Sequence, residues 1–376
     1  MRLVFMDFIE WEYTPETPWE RPLGGTQSGA CYLMTSLVEQ GHEVSLINHT
    51  KEVARHRGVQ CIPMVLEKEK LRSLFEVLAP DAVVVLSTSS AGSQLRPLLP
   101  EGTALILWTG HAVNQPHHEA LSERELRDAW DGYVFMGSWQ LETVCDRFGL
   151  ERSKTVDLGM GIAPPFEEVF AGDESILASK QGAPVIVYTS TPFRGLEVLV
   201  DCFPAIRERV PNVRLRIFSS MQIYQVEEAG DPFGDLYERC RGLEGVDYVG
   251  PLPQAELAAE LKRASVLAYP NTFEETACVA MMEAMASGCA IVSSHLGALP
   301  QTTAGFGTLL REQPGSSEYR SAFVESVVQA LEVMRGAEEN EVERSLASQV
   351  RYCNEHYRWE LRSRQWVEWL GGRCPP

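Results

Sequence analysis

The chain has 376 residues, 44% of them hydrophobic and 23% charged, and a formal net charge of −19. That length exceeds one compact core and fits two domains of ordinary size, with the composition of a soluble globular protein. The acidic balance excludes a nucleic-acid partner, which requires a basic face to displace counterions, and it weakens an anionic membrane as a resting place while leaving peripheral contact open.

Residues 2–8 read as a buried strand, followed by a long polar and aromatic loop over 9–23, the group Gly24, Gly25 and Thr26, a helix over 27–40 and a strand over 43–48. This is a βαβ opening. Further strands are expected at 59–62, 82–87, 104–109, 133–136 and 154–157, with helices between several of them. Residues 159–166, GMGIAPPF, combine two glycines with two prolines and read as an interdomain connection. The alternation then restarts, with strands at 185–189, 213–219, 246–249, 266–269 and 290–294 and a helix at 197–209. Strands alternating with helices imply an α/β chain with a mainly parallel, doubly wound sheet in each half. The basic clusters Lys51, Arg55, Arg57 and Arg358, Arg362, Arg364 read as solvated helix faces. The final stretch, 352–370, reads as one terminal helix, an ordinary surface helix anchored by Trp359, Trp366 and Trp369 being one of its two readings.

Nine scattered cysteines, odd in number and without a C-x-x-C, argue against a disulfide framework and a zinc site and point to a reducing compartment. The opening MRLVFMDFIEW is interrupted by Asp7 and is too short for a signal peptide or a membrane span. A cytoplasmic protein without a transmembrane segment is expected.

Residues 267–300 read as strand, loop, helix, strand, with the helix beginning near Thr276 and Gly288 ending it in a left-handed turn. Glu275 is expected at the helix mouth, where orphan backbone N–H groups and the positive dipole end favour anions, with Glu283 inside the helix. On a regular helix their spacing places them about 12 Å apart along the axis and about 80° apart around it. Two glutamates on one helix ordinarily mark a solvated face. Glu283 argues against that reading, because residues 279–286 hold no other polar side chain and a buried carboxylate needs partners. With no Lys or Arg within a helical turn, a ligand's hydroxyls or a distant chain segment must supply them.

The pattern Glu275-x7-Glu283 followed by Ala284-Met285-Ala286-Ser287-Gly288 resembles the second-domain signature of retaining GT-B glycosyltransferases of family four. The resemblance implies two Rossmann-like domains facing a cleft, with a C-terminal helix crossing back to the first. It implies a first, acceptor-side domain of residues 1–163 plus 355–376 and a second, donor-binding domain of residues 164–354. In that family the first Glu holds hydroxyls of the donor sugar and the second holds the ribose.

Other segments add to the resemblance. Gly25 is carried over as a donor-facing glycine, an ordinary tight turn being the alternative; the spacing is not G-x-G-x-x-G, which counts against a nicotinamide or flavin enzyme. His111 ends the strand ALILWT and is carried over as a residue near the donor sugar, whereas His117 and His118 are expected at the surface. Arg194, in Thr189-Ser-Thr-Pro-Phe-Arg194-Gly195, follows the first strand of the second half and suits paired phosphate oxygens. The family carries a second cation here; this chain has Ser190 and Thr191 instead, which leaves a diphosphate more dependent on hydroxyl and amide groups. Thr276, Ala277 and Cys278 replace the usual glycine-rich residues, and Cys278 reads as a small buried residue rather than a nucleophile.

No Asp-x-Asp, Walker A or G-x-S-x-G motif occurs. The expectation is a metal-independent, cofactor-free glycosyltransferase that moves a sugar from a nucleotide sugar, with uridine as the base, to a saccharide or other small acceptor. The site residues are His111 and Glu275 for catalysis and Gly25, Thr191, Arg194, Thr276, Ala277, Cys278 and Glu283 for the donor. Two rival readings are a nucleotide-sugar epimerase on the same architecture and a catalytically silent nucleotide-sugar-binding partner protein.

Overall fold

The computed structural model describes residues 1–172, 174–336 and 339–373. The chain forms two compact units. The first comprises Met1–Thr17, Thr26–Met160 and the segment that starts at Trp359; the second comprises Pro18–Gly25 and Gly161–Arg358.

The first unit contains strands β1 (Arg2–Asp7), β2 (Glu43–Asn48), β3 (Ala54–His56), β4 (Val59–Pro63), β5 (Ala82–Leu86), β6 (Ala104–Thr109), β7 (Gly132–Phe135) and β8 (Thr155–Asp157). They pair in the order β3-β4-β2-β1-β5-β6-β7-β8. All neighbours are parallel except β3, which returns antiparallel on β4. The sequences AVVVL of β5 and ALILWT of β6 are buried at every position, as expected for central strands covered on both faces.

The terminal stretch is two helices, Glu339–His356 and Trp359–Gly371, rather than the single one expected. The second belongs to the first unit. Trp366 is buried between Phe5 and Trp108, with ring centroids 6.4 and 5.2 Å away, and Ser363 shares a hydrogen bond with Ser36 at 2.9 Å.

The basic clusters are not helix faces throughout. Arg55 lies on β3, Arg57 pairs with Glu16 at 3.0 Å, and Arg362 donates to the Met160 carbonyl at 2.9 Å.

The second unit contains β9 (Val185–Tyr188), β10 (Arg214–Ile217), β11 (Val246–Tyr248), β12 (Val266–Tyr269), β13 (Ala290–Ser294) and β14 (Thr308–Leu310), in the order β11-β10-β9-β12-β13-β14. This is the 3-2-1-4-5-6 order of a doubly wound sheet, whose direction of winding reverses between β9 and β12. Ligands of such sheets bind outside the carboxyl ends of the strands at that reversal.

The helix Val279–Ala286 buries Met281, Met282, Glu283, Ala284, Met285 and Ala286. An eight-residue helix buried on nearly all sides exposes no face to water, so protein groups must satisfy its terminal carbonyls. Gln349 donates to the carbonyls of Met285 and Cys289, each at 3.0 Å. Lys180, only 9% exposed, places its Nζ 2.7 Å from the Ala264 carbonyl, 2.9 Å from that of Ser287 and 3.0 Å from that of Lys262. One ammonium thereby closes the carboxyl ends of two helices, Gln254–Arg263 and Val279–Ala286, against its own desolvation, which lowers its pKa. The eight cysteines among the described residues are free and buried, and no described helix is long and apolar enough to cross a membrane.

Lys180→Met takes the ammonium from the Ser287 carbonyl and from those of Leu261, Lys262 and Ala264, which keep only Ser179 Oγ or Cys289 Sγ as side-chain donors. It is expected to lower unfolding free energy by on the order of 3 kcal/mol, read as a fall in the urea midpoint at constant slope. A change of a few tenths would show that water replaces the ammonium.

Candidate active site

The loops after β9 and β12 flank the reversal of the second sheet, and each contributes one charged side chain. Arg194 donates through Nη1 to both carboxylate oxygens of Glu275, at 2.6 and 2.7 Å. The Tyr269 hydroxyl, at the end of β12, donates to Glu275 Oε1 at 2.5 Å and lies 3.3 Å from Ser190 Oγ. Glu275 is 3% exposed. Burial alone would lower the Arg194 pKa; the Glu275 carboxylate overrides that and raises it above the ordinary arginine value. The guanidinium carbon sits 4.8 Å from the Phe273 ring centroid and 5.4 Å from that of Phe193. Phe193 and Phe273 meet edge to face at 5.7 Å, so one aromatic from each loop packs on the guanidinium.

The two loops approach this closely because of Gly195. Its φ is +108°, and a Cβ there would stand 2.1 Å from the Pro270 carbonyl oxygen. The helix Leu196–Arg209 starts at the next residue, so its amino end opens beside Arg194. Thr189 Oγ1, Thr191 Oγ1, Ser219 Oγ and Arg194 Nε are buried without a hydrogen-bond partner. Thr191, 2% exposed, and Ser219, 1% exposed, follow the adjacent strands β9 and β10, where unsatisfied hydroxyls mark room for a polar guest.

Glu275 is not at a helix mouth. The helix begins at Val279, and Thr276, Ala277 and Cys278 belong to the preceding loop. The reason lies in the backbone: the Glu275 carbonyl, which a continuous helix would offer to residue 279, accepts instead from the Ala298 N–H at 2.8 Å. The axial spacing expected for the two glutamates therefore does not apply.

Glu283 occupies the helix core at 4% exposure, and its Oε1 accepts from the Ala163 N–H at 3.3 Å. Desolvation raises its pKa to about 8, opposed by that one hydrogen bond. Cys278 is 2% exposed, and burial pushes its thiol far up, leaving it un-ionised and inert. Gly25 starts the helix Gly25–Glu39 without a positive φ, and a Cβ there would meet nothing within 4 Å, so neither a turn nor packing demands glycine.

In the first unit, His111 follows β6 and stacks on His117, with ring centroids 3.5 Å apart and planes 7° from parallel. Burial, then the neighbouring His117 and His118, lowers its pKa to about 3, and its Nδ1 is buried without a partner. His118 is not at the surface as expected. It is fully buried, its Nε2 lies 3.0 Å from Thr109 Oγ1, and burial lowers its pKa to about 4.

The structure thus brings Arg194, Glu275 and Thr191 together in one unit and adds Tyr269, Phe193, Phe273, Gly195 and Ser219. Only the Arg-Gly dipeptide and the aromatic flanking each charged residue were available as signals for these additions. Among the described residues, no group of three or more His, Cys, Asp or Glu is placed to hold a metal ion.

Two doubly wound units make the architecture of the GT-B fold, and solved structures share it. Sucrose-phosphate synthase from Thermosynechococcus elongatus has a TM-score of 0.70 at 15% identity and covers 99% of both chains. A glycosyltransferase from Rickettsia africae has a TM-score of 0.72 at 11% identity, covering 99% of this chain and 98% of its own. Anabaena HepE in complex with UDP has a TM-score of 0.67 at 14% identity, covering 99% of this chain and 100% of its own.

Residues 183–332, which lie within the second unit, match the family model described as Glycosyl transferases group 1. D-inositol 3-phosphate glycosyltransferase of Corynebacterium glutamicum is 28% identical over 109 residues, 29% of this chain and 26% of the relative. Phosphatidyl-myo-inositol mannosyltransferase of Mycobacterium tuberculosis is 34% identical over 107 residues, 28% of this chain and 26% of the relative. The matched stretch spans about a quarter of the length of these curated relatives, at 26% in each.

The lowered histidine pKa values carry a sign that can be measured. A buried neutral His contributes stability that is fully present above its unfolded pKa near 6.5 and is lost as pH falls toward the folded value of about 4 for His118. Between pH 7 and pH 5, His118 should account for a loss of roughly 2 kcal/mol. Urea titrations at both pH values should show a smaller drop for His118→Gln than for the parent chain; equal drops would mean that His118 titrates normally.

Proposed function

We propose that the protein is a retaining glycosyltransferase that works without a metal ion, taking its sugar from a nucleotide-sugar donor, with uridine as the base, and passing it to a saccharide or other small acceptor. The observation that carries this reading is the buried Arg194–Glu275 pair at the winding reversal, beside the amino end of a fourteen-residue helix and unpartnered hydroxyls. The donor diphosphate lies against Arg194, the helix amino end and Thr191, with Thr189 and Ser219 supplying neutral donors. The donor sugar meets Glu275, and Thr276, Ala277 and Cys278 line its approach. The ribose hydroxyls meet Glu283.

As the glycosidic bond to the diphosphate breaks, negative charge grows on the leaving phosphate. The Arg194 guanidinium and the helix dipole are already oriented there and stabilise that charge without reorganising. Glu275 has both carboxylate oxygens engaged by Arg194, so it acts by holding sugar hydroxyls rather than as a covalent nucleophile. His111, neutral above its depressed pKa of about 3, offers a sugar one donor and one acceptor and no charge. Gly25 leaves backbone N–H groups open to a ligand.

A carboxyl with a pKa of about 8 is mostly protonated at pH 7, and accepting hydrogen bonds from two ribose hydroxyls favours its ionised form. Binding of UDP should therefore release about one proton at pH 7, read by calorimetry in buffers of different ionisation enthalpy. Glu283→Gln should abolish the release, and an unchanged release would move the ribose elsewhere.

Arg194→Ala should weaken UDP by about 1.5–3 kcal/mol, since it removes a charge-assisted contact. Chelators should leave transfer intact; loss in EDTA restored by manganese or magnesium would overturn the metal-independent reading. Release of UDP only when an acceptor is present marks a transferase, whereas sugar interconversion without acceptor, or binding without turnover, would overturn it.

A further inference from the structure

Glu275 stands on a loop, so something other than helical hydrogen bonding must fix its carboxylate. The segment between β13 and the helix Leu299–Thr303 does this. Gly297 has φ +56°, and a Cβ built on it would lie 2.6 Å from the Glu275 carbonyl oxygen, 2.8 Å from the Glu275 nitrogen and 3.3 Å from the Glu274 carbonyl carbon. The next residue, Ala298, donates its N–H to the same Glu275 carbonyl at 2.8 Å. The Glu275 peptide therefore rests directly on the bare Cα of Gly297 and is tied there by one hydrogen bond.

Contacts under 3.0 Å to backbone atoms cannot be relieved by turning a side chain, so any side chain at 297 pushes the Glu275 peptide away. The carboxylate has no slack to absorb that movement. Its bonds to Tyr269 and Arg194 span 2.5 to 2.7 Å, and they come from a strand end and from a loop held by the Gly195–Pro270 contact.

We propose that Gly297 is a positioning residue for glycosyl transfer, acting through the backbone of Glu275. The inference rests on the reading of Glu275 as the residue that holds the donor sugar. Filling position 297 then misplaces the sugar contact, while Arg194, Thr191 and Glu283, assigned to the nucleoside diphosphate, are carried by backbone segments that a Cβ at 297 does not touch. Turnover falls and diphosphate affinity does not.

The test compares Gly297→Asn with Gly305→Asn. Asparagine tolerates a left-handed backbone, so the comparison isolates the clash. Gly305 has φ +88° and nothing within 4 Å of a built Cβ, which makes it the control for backbone strain without contact. UDP affinity is measured by calorimetry, and turnover is measured as release of UDP, in the presence of an acceptor that supports it in the parent chain, from whichever UDP-sugar most raises the melting temperature.

Gly297→Asn is expected to lose roughly 100-fold in kcat, the scale of a misplacement near 1 Å, with UDP affinity within about twofold of the parent. Gly305→Asn should keep both. Parent-like kcat in Gly297→Asn, or an equal loss in Gly305→Asn, overturns the proposal.

If the asparagine variant does not fold, Gly297→Ala adds only the Cβ and is read the same way; an alanine variant that no longer binds UDP also overturns it. Glu275→Ala separates the two layers. Full turnover in that variant sinks the reading of the site, whereas an inactive Glu275→Ala beside an active Gly297→Asn sinks only the positioning role.

Discussion

A buried ion pair, Arg194 with Glu275, is the interaction on which the second unit's site depends. Taking a carboxylate and a guanidinium out of water costs several kcal/mol per ion, and their attraction offsets this only with good geometry and further hydrogen bonds. The structure supplies both: two short bonds from one guanidinium nitrogen, a third from Tyr269, and an aromatic ring from each loop on the cation. Each requirement falls on a different stretch of chain, which is why residues 189–195, 269–278 and 295–298 form one constellation although they lie far apart in sequence.

The pair also sets the electrostatic character of the site. A free arginine would present a full positive charge to an incoming diphosphate; one bonded to a carboxylate presents a reduced one, directed through Nε, which no side chain or carbonyl engages. Under the proposed reading, donor recognition leans on directional groups, namely hydroxyls, amide N–H groups and a helix end. These discriminate by geometry where a cation cluster would attract any polyanion. The replacement of a second cation by Ser190 and Thr191 points the same way, and Glu283 adds to it, since a largely protonated carboxyl contributes little field until a ligand draws its proton off.

The α/β class, the restart of the alternation after residue 166 and the central strands were legible because their signals are local. Long apolar runs bounded by turn residues specify buried parallel strands almost unaided. The helix carrying Glu283 was legible for the same reason, as a run with one polar residue. Its start was not: Thr276 to Cys278 have no strong objection to helix, and the hydrogen bond that stops them comes from Ala298, some twenty residues on. The salt bridge was equally hidden, since Arg194 and Glu275 were each read against a ligand and nothing in one dimension says that they meet. His118 looked like a surface residue beside another histidine; the 3₁₀ segment Pro116–Ser122 turns its ring inward and leaves His117 exposed. The antiparallel β3 and the short β14 escaped the reading; both are edge strands with a residue exposed to water, so neither shows the fully apolar run of a buried strand.

The ammonium of Lys180 has a consequence for how this unit tolerates mutation. Its partners are main-chain oxygens at 261, 262, 264 and 287, which every amino acid supplies alike. Side chains at those positions can drift without disturbing the cap, whereas the lysine has no substitute of equal reach and charge. Constraint from this cap is thereby concentrated on the codon of the lysine rather than spread over those of its partners, although the residue is remote from the chemistry.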